Sequence, residues 1–104
     1  MVPDFGIDVT RTSDAAVVRV IGELDLDTAP RLREEIDALV DSGVCAVTVD
    51  LVRLEFIDST GLSVLVTTLK HMREHGGNLA LRSLSPSTLK VFEIAGLTEV
   101  FTIS

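Results

Sequence analysis

The chain has 104 residues, 46% of them hydrophobic and only 4% aromatic, so residues 1–104 are expected to form one domain around a core of Leu, Val and Ile. Sixteen acids against nine bases give a net charge of −7, which repels phosphate backbones and anionic lipid and argues against direct binding to nucleic acid or a membrane surface. One cysteine supports neither a disulfide framework nor a cysteine metal cage. The opening MVPDFGID lacks the basic and apolar blocks of a signal peptide. No stretch approaches the roughly 20 apolar residues of a membrane span, so a cytoplasmic location is expected.

In chain order, residues 7–12 (IDVTRT) and 15–21 (AAVVRVI) are β-rich runs joined by Ser13-Asp14, which reads as a hairpin, and Gly22 closes the second run. DTAPRLREEIDALVDSG follows as a helix, with Asp27 or Thr28 as cap, Pro30 in the first turn and Gly43 at the end. Its buried stripe is Leu32, Ile36, Leu39 and Val40. Residues 44–51 (VCAVTVDL) read as a strand covered on both faces, with Cys45 as a small core residue. A second helix carries Leu62, Leu65, Val66, Leu69 and Met72 at helical spacing and stops at Gly76-Gly77. NLALRSL is the next strand. Ser85 caps a third helix, PSTLKVFEIAG, and EVFTI closes the chain as a short strand, with Leu97 and Phe101 expected in the core. The order β-β-α-β-α-β-α-β makes the class α/β: a mixed sheet with an N-terminal hairpin, then right-handed β-α-β crossovers whose helices pack on the sheet.

Three stretches could carry chemistry. In FIDSTGL, residues 56–62, an acid, two hydroxyls and a glycine stand where an apolar segment gives way to the second helix. Either Asp58 or Ser59 can cap that helix, at about 1 kcal/mol. A nucleophilic Ser59 or Thr60 would need a base beside it, but at about 1.5 Å per residue His71 lies roughly 18 Å away along the axis. The Gly-x-Ser-x-Gly elbow is absent as well, so no catalytic residues are expected. A phosphorylation site suits the position better, because a helix N-terminus offers unpaired N–H groups and a partial positive charge to a phosphoryl group. In GELDLDTAP, residues 22–30, Glu23, Asp25 and Asp27 precede the first helix. That loop and the Ser59 loop both join a strand to a helix, which should place them at one edge of the sheet. The acids could hold Mg²⁺ weakly, but nothing in the stretch specifies a coordination shell. HMREH, residues 71–75, matches the H-x-x-E-H zinc-peptidase pattern but has neither a third ligand nor a cleft in view, so it reads as the cationic end of a helix. No metal or cofactor is expected.

GELD, DSTGL and a terminal GLTEVF, in that order, give the chain a resemblance over nearly its whole length to the bacterial anti-sigma factor antagonist family, built on the STAS domain. The resemblance implies a non-enzymatic regulator. Its unphosphorylated form binds an anti-sigma factor that is a serine kinase with a histidine-kinase-like ATPase fold, and this frees the sigma factor. The kinase phosphorylates the first hydroxyl after the motif Asp, here Ser59, and phosphorylation ends binding until a PP2C-type phosphatase reverses it. Asp25 and Asp58 match acidic positions flanking that surface. Thr60 holds the second hydroxyl position, and Gly61 and Leu62 complete the expected partner-binding set. Ser63 departs from the glycine often found there in the family. The same fold also serves non-switching STAS scaffolds and transport-complex subunits.

Overall fold

In a computed structural model describing residues 4–104, the chain forms six strands and three helices. Residues 1–3, the start of the stretch read for a signal peptide, lie outside the described residues. The elements are β1 (Gly6–Thr12), β2 (Ala15–Leu24), α1 (Ala29–Asp41), β3 (Ala46–Asp50), β4 (Leu54–Ile57), α2 (Ser59–Glu74), β5 (Asn78–Arg82), α3 (Pro86–Ile94) and β6 (Thr102–Ile103). The sheet runs β1-β2-β3-β5-β6, with β4 paired to β2. Only β1 and β2 are antiparallel, from Gly6 opposite Ile21 to Thr12 opposite Ala15. The two-residue turn Ser13-Asp14 closes the hairpin, with Ser13 at a φ of 52°.

Alternation along β2 explains the layering. Ala16, Val18, Val20 and Leu24 are buried, while Val17, Arg19 and Ile21 between them are half-buried. With Val47, Val49, Leu79 and Leu81, the buried set makes one apolar face, on which α1 and α2 pack side by side. Helix α1 contributes Leu32 and Ile36, α2 contributes Leu65, Leu69 and Met72, and α3 adds Phe92, whose ring meets Phe101 edge to face at 5.8 Å. Each such side chain stabilises the fold by about 1.5–3 kcal/mol.

Several expectations change. Strand β3 is covered on one face only, because Thr48 faces away from the helices and stays half-exposed. Cys45 precedes the strand rather than entering the core: it is exposed, and its thiol donates to Asp14 Oδ2 at 3.5 Å. That bond, followed by desolvation and the Asp14 charge, raises the thiol pKa and keeps it protonated. Gly22 does not end β2. With a φ of 93° it sits in the strand where the register to β4 shifts, so a bulge carries β2 on to Leu24. The last strand is shorter than EVFTI, only Thr102–Ile103, with Phe101 buried just before it and Leu97 half-buried.

Candidate functional site

The short parallel pairing of β4 with β2 builds the site. Phe56 and Ile57 lie opposite Glu23 and Leu24, and the Asp58 N–H donates to the Leu24 carbonyl at 3.2 Å. The GELD and FIDSTGL segments are thereby joined at one end of the sheet, as their loop positions suggested. Gly61 closes the contact: a Cβ there would stand 2.5 Å from Leu24 O and 2.8 Å from Ile57 Cγ1, so only glycine lets the first turn of α2 lie on the backbone of β2.

The choice of cap falls on Asp58. Its backbone is extended, and its Oδ1 accepts the Gly61 N–H at 2.9 Å. Ser59 is therefore the first residue inside α2. It is exposed, and its hydroxyl takes part in none of the side-chain hydrogen bonds among the described residues. The first-turn N–H groups of Ser59 and Thr60 have no acceptor within the helix, as at any helix start, and they carry the positive end of its dipole. A free hydroxyl at such a position can accept a phosphoryl group without dismantling the cap.

The 25–28 loop is tied internally. Asp25 Oδ1 accepts from the N–H groups of Asp27 at 3.0 Å and Thr28 at 3.1 Å, and the Thr28 hydroxyl donates to Glu23 O at 2.7 Å. Thr28 is the N-cap residue of α1 but makes no side-chain cap bond, and its hydroxyl turns back into the loop instead. Asp25 thus shapes this loop besides offering its charge, and it leaves Leu26 70% exposed at the tip.

Two residues of the α2 series sit at the margin of the core and pack against it. Leu62 and Val66 are only half-buried, because α2 turns Gly61, Leu65, Thr68, Leu69 and Met72 inward. Together with Ser59, Ser63, Thr67, Ala95 and Leu97 they line an open groove of about 400 Å³. Ser59 therefore borders an apolar depression, and Ile94, adjacent in sequence to the groove-lining Ala95, is 78% exposed. Thr68 takes a fully buried, core-facing position among the apolar residues of α2. Its Oγ1 donates back to Val64 O at 2.9 Å and so tolerates burial.

The rings of His71 and His75 lie 4.5 Å apart between centroids, tilted by 58°, near the end of α2, and His71 Nε2 lies 3.9 Å from Asp37 Oδ1 on α1. Among the described residues, no group of three or more His, Cys, Asp or Glu side chains is arranged to hold a metal ion. No helix there is long and apolar enough to cross a membrane.

Six strands in a mixed sheet, one helix-covered face and the two loops joined at Leu24 define a small α/β domain with its candidate surface at the start of α2. The chain belongs to the STAS domain family, whose profile matches residues 6–104. It is 35% identical over 101 residues to the anti-sigma-B factor antagonist of Bacillus subtilis (strain 168), covering 97% of this chain and 92% of that protein. An anti-sigma factor antagonist from Mycobacterium paratuberculosis superposes with a TM-score of 0.86 at 28% identity, over 99% of this chain and 89% of the other. The phosphorylated form of the Bacillus cell fate determinant SpoIIAA superposes with a TM-score of 0.73 at 26% identity, over 96% and 90%.

Proposed function

We propose that this chain is an anti-sigma factor antagonist switched by phosphorylation of Ser59. Unphosphorylated, it binds an anti-sigma factor that is also its serine kinase, of histidine-kinase-like ATPase fold, and thereby frees a sigma factor; a PP2C-type phosphatase restores the binding form. The chain acts in the cytoplasm as a binding protein rather than an enzyme. The observation that carries this reading is the division of labour at the turn: Asp58 holds the cap, and Ser59 beside it keeps an exposed, uncommitted hydroxyl. Relatives of similar length and fold named anti-sigma factor antagonists, and a neighbour described in a phosphorylated form, support it.

The partner surface comprises Asp25, Asp58, Thr60 and Leu62, with exposed Leu26 and Phe56 as apolar contacts; Gly61, expected in this set, is buried against β2 and shapes the surface from beneath. A phosphoryl group adds about −1.5 to −2 charge beside Asp58 on a chain already at −7. It also has to be desolvated if the groove below it is covered. A penalty of about 3 kcal/mol amounts to more than 100-fold in affinity, enough for a switch.

The test is to recover the partner from the native host, add ATP and magnesium, and map phosphate by peptide mass spectrometry. Phosphate on Ser59 is expected; phosphate on Thr60 or Ser63 alone refutes the site, and a partner without a kinase fold refutes the mechanism. In calorimetric titration Ser59→Ala should bind like wild type and escape switching, whereas Ser59→Asp should bind more weakly. Equal binding by wild type and Ser59→Asp counts against electrostatic ejection.

A further inference from the structure

The sheet face that the helices leave uncovered is not featureless. Register places Asp8, Arg19, Asp50 and Arg82 in one row across β1, β2, β3 and β5. Asp50 is only 2% exposed, and its Oδ2 accepts from Arg19 Nε at 3.3 Å, Arg19 Nη2 at 3.1 Å and Arg82 Nη2 at 3.2 Å. Its Oδ1 accepts the Val52 N–H at 3.0 Å. One buried carboxylate thus holds two guanidinium groups side by side, while 43% of the Arg19 and 42% of the Arg82 side chain remains open to solvent.

A purely architectural triad accounts for Asp50 but not for the donors left over. Arg19 Nη1 and the Nε and Nη1 of Arg82 have no acceptor among the described residues. Both side chains line a cavity of about 320 Å³ with Asp8, Thr10 and Val17. A second hollow of about 170 Å³ shares Thr10 and Val17 and continues over Thr12, Ala15, Ala46 and Thr48. The floor is therefore Val17, small side chains and hydroxyls, and the charged end carries two guanidinium groups anchored on Asp50, Arg19 by two N–H bonds and Arg82 by one. Asp8 forms no ion pair with either guanidinium, so the triad itself carries one net positive charge, which Asp8 across the cavity offsets.

We propose that this uncovered face is a second binding site, taking the phosphoryl group of a small solute between Arg19 and Arg82. Guanidinium forks match the spacing of phosphate oxygens, and a pair already held in place loses little side-chain freedom on binding. A phosphate dianion draws more from two cations than a carboxylate monoanion does, and Thr10 supplies a hydroxyl at the rim. Asp8 is the one opposing charge in the lining, which caps affinity and gives the proposal a distinctive sign.

The ¹⁵N-labelled full chain is titrated with sodium phosphate at constant ionic strength, with sodium chloride and sodium acetate as parallel arms. Saturable shifts are expected at the Thr10 and Val17 amides and at the Arg19 and Arg82 Nε–H signals, with phosphate binding more tightly than acetate. Arg82→Gln should weaken phosphate binding at least about tenfold, while Arg19 still gives Asp50 two N–H bonds. Asp8→Asn makes no change to the triad and should tighten phosphate severalfold. The proposal is overturned by the same non-saturating drift in chloride, by shifts confined to Ser59–Gly61, or by an Asp8→Asn variant that binds phosphate no better than wild type.

Discussion

Gly61 is the least replaceable residue of FIDSTGL, since any Cβ meets the Leu24 carbonyl oxygen, which cannot move without shifting β2. Gly61→Ala should destabilise the domain by about 1–3 kcal/mol, read as a lower urea midpoint at unchanged slope. Asp58→Ala should cost about 1 kcal/mol through the lost cap, and Asp58→Asn should recover most of it, because an amide oxygen accepts the Gly61 N–H equally well. Asp50 sets an acid limit. Burial pushes its pKa up, but the Val52 N–H and the two guanidinium groups outweigh burial and hold it below the ordinary value. In the unfolded chain the carboxyl takes its proton near pH 4, before the folded one does, so the stabilisation is complete above about pH 5. It is lost as pH falls from there through the depressed folded value. Asp50→Asn should flatten that part of the acid-unfolding curve; an unchanged curve in that window would show that Asp50 does not set it.

At the scale of elements, the decisive piece is β4, four residues long, with Leu54 and Ile57 buried and Glu55 and Phe56 exposed. That pattern is neither alternating nor continuously apolar, which is why no strand was legible in VRLEFI beyond an apolar segment leading into α2. The three helices and their ends were legible because capping is local: Pro30, Asp58, Ser85, Gly43, Gly76 and Gly96 act within a turn of their own position. Layering was less so. A β-branched run such as VCAVTVDL does not say whether one face or two will be covered, and an i, i+3, i+4 series cannot separate a core stripe from a groove-lining one. Leu62 and Val66 belong to that series and do both, lining the groove while packing against the core. The turn after α2 carries a further constraint, since a Cβ on Gly77 would run into the Cys45 carbonyl at the head of β3. Gly77→Ala should therefore loosen the α2–β5 connection, giving faster amide exchange at Asn78, whose N–H bonds Cys45 O at 2.9 Å, than at the β1–β2 hairpin.

For the whole molecule, a charge of −7 favours a partner that offers a basic face. Association with the anti-sigma factor should slow as sodium chloride rises, with dissociation changing much less, and stopped-flow measurement separates the two. Because the surface around Ser59 lies beyond the end of β2 and the Arg19–Asp50–Arg82 row crosses the open face of the sheet, charge changes on the open face should leave this salt dependence largely intact. One small bond has a larger consequence. By receiving the Asp58 N–H on the Leu24 carbonyl and admitting only glycine beside it, β2 fastens the start of α2 to the last residue of that strand. Under the proposed switch, a phosphoryl group arriving at Ser59 then finds no hinge to pull. The message is written on the exterior as a mark that a partner reads by touch, and the fold beneath it serves as the page.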